Sequence, residues 1–259
     1  MYLAPILLTL LTTTPLSWYS PRLSDTWQWQ LSGTVNTSYH VDIYDIDLFD
    51  TSEKLIHELH EKDKKVICYF SAGSYERWRP DSHLFQEREL GKTLDGWEDE
   101  KWVDIRSKNI EYIIQQRLDL AQKKGCDGVE PDNIDAYTND SGFPLTEEDQ
   151  LHFNKFIASE AHKRNLAVGL KNDLDQVDDL VYFFDFSVNE QCFEYNECGK
   201  LQPFIRQSKP VFNVEYNKKY VNDEKSRNEL CKKSRKRQFT TLILPVNLDD
   251  SYRFSCVSQ

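Results

Sequence analysis

The stretch IEYIIQQRLDLAQKKGCDGVEPDN (residues 110–133) joins a helix pattern directly to a strand pattern. Its first half repeats apolar residues at the i, i+3, i+4, i+7 spacing of an amphipathic helix: Ile110, Ile113, Ile114, Leu118 and Ala121. After Gly125, segment 128–133 has the length and composition of a short buried strand. A helix followed directly by a strand is the repeating unit of a parallel α/β sheet.

The same unit recurs along the chain. We predict eight strands, at 27–31, 41–47, 65–73, 128–133, 166–172, 184–190, 210–216 and 240–246. Asp50 with Glu53, and Thr146 with Asp149, are predicted to cap two of the intervening helices. Eight such units in 259 residues fit a single-domain (β/α)8 barrel. A doubly wound sheet is the alternative, but no G-x-G-x-x-G or G-x-x-x-x-G-K-[ST] motif follows any strand.

The first segment and the cysteines favour export. Residues 1–17 contain an apolar run too short to span a bilayer, followed by small polar residues, and are predicted to be a signal peptide. A buried first segment is the alternative. Residues 18–259 are then the barrel domain of a secreted or cell-surface protein with no membrane anchor. The even number of cysteines, six, suits disulfides, and none has the C-x-x-C or Cys/His spacing of structural zinc.

Two cysteine pairs can be suggested from position. Cys192 and Cys198 are close enough for a local staple, and Cys68 and Cys126 belong to neighbouring predicted strands. Asn36 and Asn139 begin N-glycosylation sequons, which are used only in a secreted chain.

The charge balance points to a cationic partner. The chain has 43 acidic and 32 basic residues, a net charge of −11. This excess argues against nucleic acid as a partner and favours a positively charged ligand. The basic run KKSRKR (232–237) is interpreted as the solvated end of a helix. We expect a monomer.

Polar residues lie where the predicted strands end, and active sites of barrel enzymes lie at the C-terminal ends of the strands. Because side chains alternate along a strand, Glu130 and Asp132 are predicted to point into the barrel if Val129 packs against helices. Asp127 and Asp135 fall outside this row and are predicted to be structural. The segment 74–102 is predicted to be a long loop on the catalytic face, and its tryptophans are candidates for stacking on sugar rings.

Two carboxylates on different strands at a barrel mouth suit glycoside hydrolysis, and Asp132 with Glu190 is the best pair by strand position. Two alternatives stay open. These acids could simply pair with Arg79 and Lys171, or the cluster after Asp132 could bind Ca²⁺ or Mg²⁺, although the EF-hand spacing is absent. No G-x-S-x-G or H-E-x-x-H motif occurs, so acyl transfer and zinc hydrolysis lose support.

Several ordered motifs together resemble glycoside hydrolase family 114. They are WQWQLSG, YDIDLFDT, VICYFSAGSYERWRPD, GW followed by WVDIR, RLDLAQKKGCDGVEPDNIDAY, GLKND, NEQC and a late EY. The resemblance implies a secreted (β/α)8 glycosidase of the endo-α-1,4-polygalactosaminidase or α-galactosidase type. It also implies that the aspartate of PDN and the glutamate of NEQC are catalytic, which are Asp132 and Glu190 here.

The resemblance further implies a retaining double displacement, in which we assign Asp132 as nucleophile and Glu190 as acid/base. We expect no metal and no cofactor. The expected substrate is a cationic, galactosamine-rich polysaccharide, whose amines would enter a groove lined by Asp47, Glu76, Glu130 and Glu215. The full set of predicted substrate-binding residues is Asp47, Tyr69, Glu76, Arg79, Glu130, Asn133, Lys171, Asn172, Glu215 and Tyr216. A carbohydrate-binding barrel without catalysis and an exo-acting α-galactosidase remain as alternatives.

Overall fold

The computed structural model describes residues 18–257, so the predicted signal segment 1–17 lies outside the described residues. The strands are β1 Trp27–Gln30, β2 Ile43–Asp47, β3 Lys65–Ser71, β4 Ser74–Glu76, β5 Leu90–Leu94, β6 Trp97–Val103, β7 Gly128–Asp132, β8 Ala167–Lys171, β9 Phe186–Glu190, β10 Val211–Glu215, β11 Thr240–Ile243 and β12 Phe254–Ser255. The helices are α1 Glu53–His60, α2 Lys108–Lys124, α3 Glu147–Lys163, α4 Val177–Leu180, α5 Gln202–Arg206, α6 Lys219–Asn222 and α7 Glu224–Lys236.

Eight parallel strands form the barrel, in the order β1, β2, β3, β7, β8, β9, β10, β11, and β12 pairs antiparallel to β11. The two ends of this sheet meet. Trp27 Nε1 in β1 donates to the carbonyl of Thr240 in β11 at 3.2 Å, and the Leu31 amide donates to Leu248 O at 3.0 Å. The eight predicted strands and the (β/α)8 class are confirmed, and the doubly wound alternative is excluded.

Each face of the barrel strands carries its own apolar layer, one inside the barrel and one outside it. Inside the barrel, aromatic side chains such as Trp27, Phe186 and Phe212 pack together at the N-terminal end. Outside it, alternate residues such as Val129 and Leu170 pack against the apolar faces of the helices. Since Val129 packs outward, Glu130 points inward as predicted, and polar side chains collect in the barrel above the aromatic floor.

The helix ends follow the expected chemistry with one correction. Thr146 and Asp149 form the predicted capping box of α3. The predicted capping role of Asp50 is wrong, because Ser52 is the N-cap of α1 and its side chain accepts from the Leu55 amide. Asp50 lies two residues earlier, in the turn that leaves β2, where its amide donates to Asp47 Oδ1 at 2.9 Å.

The segment between β3 and α2 was predicted as a loop, and this is wrong. It contains a three-stranded antiparallel sheet in the order β4, β6, β5. The β5–β6 hairpin turns at Asp95 and Gly96, where Gly96 has φ +80°, a conformation that favours glycine. Arg117 of α2 ties this insertion to the barrel by two hydrogen bonds to Asp81, at 2.8 and 3.0 Å.

Three disulfides join the six cysteines: Cys68–Cys126, Cys192–Cys198 and Cys231–Cys256. The first two are the pairs suggested by the sequence. The first links β3 to the turn before β7 on the outside of the barrel, and the second closes the loop that follows β9.

Candidate active site

Three neighbouring strand ends bring two carboxylates and one ammonium together. Asp132 ends β7, Lys171 ends β8 and Glu190 ends β9, and all three side chains point inward. Lys171 Nζ lies 3.0 Å from Asp132 Oδ1 and 3.6 Å from Glu190 Oε2. Because Lys171 is buried between carboxylates, their charges raise its pKa well above the usual value. The ammonium therefore stays charged and draws the two acids toward each other.

Each carboxylate also receives hydrogen bonds from neutral donors. The Tyr69 hydroxyl donates to Asp132 Oδ2 at 2.9 Å, and the Tyr216 hydroxyl donates to Glu190 Oε1 at 2.6 Å. Asn172 holds Glu190 twice, since its Nδ2 donates to Oε2 at 3.1 Å and its Oδ1 accepts from the Glu190 amide at 3.0 Å. Burial raises the pKa of both tyrosines well above the usual value, so both remain donors.

The backbone turns sharply after each of these strands. Asn133, Asn172 and Gln191 directly follow the three strand ends, and all have left-handed φ angles, of 59°, 48° and 60°. Asparagine tolerates this region, whereas for glutamine it costs about 1–2 kcal/mol. The Gln191 amide donates to Val214 O at 2.8 Å, which helps to hold the turn. Such strained residues at strand ends are typical of functional sites.

Glycine allows a close backbone approach beside Asp132. The amides of Ala72 and Gly73 donate to the Asp132 carbonyl at 2.8 and 3.1 Å. A Cβ on Gly73 would lie 1.7 Å from the carbonyl oxygen of Asn133, so no other residue fits there without moving the loop. Asn133 donates through Nδ2 to Ser71 Oγ at 2.9 Å and lines the cleft beside Asp132.

A second layer of carboxyls lies beneath this centre. Glu130 Oε1 is 3.0 Å from Lys171 Nζ, and the Asp45 side chain of β2 contacts Glu130 inside the barrel. Both are buried, which raises the pKa of Glu130 to about 7 and that of Asp45 well above its usual value. The expected contact of Glu130 with substrate is corrected, because its side chain is fully buried and is sealed from the cleft. It supports Lys171 instead.

Glu215 requires a similar correction. It lies on the opposite face of β10 from Tyr216, is fully buried, and accepts from the Phe193 amide at 2.9 Å. Burial raises its pKa to about 7. The alternation of side chains along the strand therefore removes it from the cleft and makes it an anchor for the loop after β9, while Tyr216 points inward.

Asp47, Glu76 and Arg79 form one ion cluster at the β2 side of the mouth. Arg79 Nη2 lies 2.6 Å from Asp47 Oδ2 and 2.8 Å from Glu76 Oε1. All three are buried, yet they line the cleft. The two carboxylates hold the pKa of Arg79 above its usual value, and desolvation raises the pKa of Glu76. Arg79 offsets one of the two negative charges within the cluster, so the cluster contributes less negative potential than the sequence suggested.

A cleft of about 1410 Å³ runs across the barrel mouth above these groups. The insertion does lie on the catalytic face, since it contributes one wall that includes Asp95, Trp97, Glu98 and Glu100. Among the described residues, eleven carboxylate side chains line the cleft, against three cationic ones. All three cations are paired with carboxylates: Arg79, Lys92 and Lys171. A cleft of this composition suits a long cationic ligand.

Within residues 18–257, no group of three or more His, Cys, Asp or Glu side chains is arranged to hold a metal ion. The same part of the chain contains no helix that is both long and apolar enough to cross a bilayer.

A family model described as glycoside-hydrolase family GH114 matches residues 9–259, which is nearly the whole chain. The chain belongs to glycoside hydrolase family 114. This family 114 protein is therefore a glycosidase, as the sequence motifs implied. No curated protein matches it significantly.

Two solved structures are similar to this chain, at different levels of identity. A crystal structure of Aspergillus fumigatus Ega3 in complex with galactosamine is 41% identical, with a TM-score of 0.87, and the match covers 93% of this chain and 98% of that one. The glycoside hydrolase domain of PelA from Pseudomonas aeruginosa is 13% identical, with a TM-score of 0.69, covering 87% of this chain and 96% of that one. The second likeness shows the barrel fold alone.

Two residues of this family 114 site were missed or misjudged from sequence. Asp45 lies two residues before Asp47 on β2, so both side chains point into the barrel. This alternation could have revealed Asp45 from the sequence. Asp135, expected to be structural, lines the cleft, and burial together with the charge of Asp132 raises its pKa to about 6. Asp127 is structural, since it binds His60, Lys65 and the Val66 amide on the outside of the barrel.

Proposed function

We propose that this protein cleaves α-1,4-linked galactosamine polysaccharides within the chain, with Asp132 as nucleophile and Glu190 as acid/base. The observation that carries the proposal is the paired placement of these two carboxylates around Lys171 in an acidic cleft. The likeness to the Ega3 structure, which contains galactosamine, supports the substrate class.

The carboxylate geometry is compatible with retention of anomeric configuration. Asp132 Oδ1 and Glu190 Oε2 both contact Lys171 Nζ, at 3.0 and 3.6 Å, so these two oxygens lie at most about 6.6 Å apart. Retaining glycosidases place their carboxyls roughly 5–5.5 Å apart, whereas inverting enzymes need about 6.5–9.5 Å to admit a water. A limit of about 6.6 Å between one oxygen of each carboxylate is compatible with the retaining arrangement that the family motifs imply.

The surroundings of the two acids support their separate roles. Asp132 has the shorter contact to Lys171, a hydrogen bond from Tyr69, and another from the Asn133 amide at 2.7 Å. These contacts hold the Asp132 side chain in one position, as a nucleophile requires. The Glu190 side chain is more exposed, at 29% against 18%, and lies farther from Lys171. Contact with solvent suits a group that must give up a proton and regain one.

The proposed reaction has two steps. First, an Asp132 oxygen attacks the anomeric carbon while the glycosidic C–O bond breaks, and Glu190 gives its proton to the leaving oxygen. Water then attacks the same carbon, Glu190 takes the proton of that water, and the bond to Asp132 breaks, which restores both acids. Lys171, Tyr69 and Tyr216 hold the two carboxylates in place throughout.

The excess of negative charge in the cleft suits a polymer that carries amines. A galactosamine chain carries ammonium groups near neutral pH, and the carboxylates of the cleft would attract them from solution. The cleft is open across the mouth and has a volume of about 1410 Å³, so a chain can enter and be cut internally. We further propose that the protein is secreted, which its three disulfides support.

End-product analysis tests the proposal. The enzyme is incubated with a de-N-acetylated α-1,4-galactosamine polymer and, separately, with p-nitrophenyl α-galactoside. We expect a ladder of oligomers from the polymer, with the α-anomer appearing first by ¹H NMR, and little release of p-nitrophenol. Release of p-nitrophenol without oligomers would indicate an exo-acting α-galactosidase, and binding of the polymer without hydrolysis would indicate a binding module.

A further inference from the structure

An exposed tryptophan lies at the β2 side of the cleft, away from the two catalytic candidates. The Trp78 side chain is 54% exposed and lines the cleft. The Arg79 guanidinium carbon lies 5.8 Å from its ring centroid, and Arg79 is itself buried and bound to Asp47 and Glu76. Arg79, held in place by these two carboxylates, thus packs beside the Trp78 ring and supports it. A large aromatic surface kept exposed at a cleft is typical of a binding surface.

An exposed carboxylate, that of Asp50, also lies beside Arg79. The Asp50 side chain is 78% exposed, lines the cleft and lies 3.6 Å from Arg79 Nη1. Its amide donates to Asp47 Oδ1, which fixes the turn that carries it. Because Asp47 and Glu76 already balance the charge of Arg79, the Asp50 carboxylate is surplus negative charge beside the Trp78 ring.

The register of the strands places this pair at a distance from the scission point. Asp47 pairs with Tyr69 of β3, and Ser71 of β3 pairs with Asp132 of β7. With strands about 4.8 Å apart, β2 lies roughly 10 Å from β7. Glu190 lies beyond Asp132 in the opposite direction, since β9 follows β8. The pair therefore lies on the far side of Asp132 from Glu190, away from the sugar that reacts.

We propose that Trp78 and Asp50 form a distal subsite for one amino-sugar unit of the polysaccharide. The apolar face of the sugar stacks on the Trp78 ring, and its ammonium binds the Asp50 carboxylate. This inference rests on the proposed function and adds the part of the cleft that recognises chain length and the free amine. Subsite binding of this kind matters only for oligomers long enough to reach it.

The test measures kcat/KM against chain length with α-1,4-galactosamine oligomers of two to eight units. Trp78→Ala is expected to lower kcat/KM for the longer oligomers by about fivefold or more, and Asp50→Asn by about threefold. Neither change alters kcat/KM for the shortest oligomer that the wild type cleaves. Tyr112→Ala removes an aromatic side chain that is 51% exposed outside the cleft, and Asp178→Asn removes an exposed charge outside it, so both serve as matched controls.

The outcomes separate the two proposals. An unchanged length profile in both variants, with an active wild type, overturns the subsite and leaves the proposed function intact. An equal loss at every length places the pair at the scission point and also overturns the distal subsite. A loss in Trp78→Ala alone overturns the role of Asp50. If the wild type cleaves no galactosamine oligomer, the proposed function fails and the subsite fails with it.

Discussion

Two tyrosine substitutions distinguish the nucleophile from the acid/base. Tyr69→Phe removes one hydrogen-bond donor from Asp132, and Tyr216→Phe removes one from Glu190. Both hydroxyls stabilise the ionised form of the carboxylate they contact. Loss of a donor therefore makes the ionised form of that carboxylate less stable.

The two variants should shift opposite limbs of the pH profile. A hydrogen bond to a charged group contributes about 1.5–3 kcal/mol, so loss of either donor should displace the corresponding limb of the activity profile by a measurable amount. The nucleophile must be ionised, so Tyr69→Phe is expected to move the acidic limb upward. The acid/base must start protonated, so Tyr216→Phe is expected to move the alkaline limb upward. The 2.6 Å bond of Tyr216 should produce the larger of the two shifts.

The assay is kcat/KM between pH 4 and 9 on one galactosamine oligomer. Tyr44→Phe is the control, because the Tyr44 hydroxyl donates only to the backbone carbonyl of Tyr39, at 2.8 Å, on the helix side of the barrel. If Tyr69→Phe moves the alkaline limb and Tyr216→Phe the acidic one, the roles of the two acids are exchanged. If neither limb moves, the hydroxyls do not govern these carboxylates and the reasoning is refuted.

Two further predictions concern charge. Raising the salt concentration should increase KM for a free-amine oligomer, because salt screens the attraction between its ammonium groups and the carboxylates of the cleft. KM for the N-acetylated counterpart should stay nearly unchanged. Equal effects on both oligomers would reject electrostatic recognition. Burial, with the nearby Asp135 charge, raises the pKa of Asp173 to about 8. The folded state therefore holds a proton that the unfolded state loses above about pH 4, and stability falls as pH rises from 4 to 8. Asp173→Asn should remove this loss, so its free energy of unfolding at pH 8 should exceed that of the wild type by up to about 5 kcal/mol, with a much smaller difference near pH 4. Urea unfolding at the two pH values measures this difference, and an equal gain at both would contradict the prediction.

The sequence predicted the barrel and the central groups because both depend on local periodicity. The strands of a parallel barrel are short and continuous, and their ends are where polar residues replace apolar ones. Alternation from Val129 then sufficed to direct Glu130 and Asp132 inward. The partner Lys171 followed from its position at the end of the next strand.

The remaining features depend on contacts between distant segments. In the insertion, the pairing of β4 with β6 joins segments far apart in sequence, which local patterns do not reveal. The β5–β6 hairpin could have been predicted from its Asp95-Gly96 turn. The burial of Glu130 depends on the depth of the cleft, which only packing determines. The misplacement of Glu215 was avoidable, since Tyr216 follows it and must face the other way.

The measurement that tests the central claim most directly compares wild type, Asp132→Asn and Glu190→Gln on a de-N-acetylated α-1,4-galactosamine polymer. Released oligomers are quantified by mass spectrometry, and binding of the same polymer is measured in parallel. We expect each variant to bind the polymer while releasing oligomers at least about a hundredfold more slowly than the wild type. A variant that retains more than about a tenth of the wild-type rate would contradict the assignment of that carboxylate to catalysis.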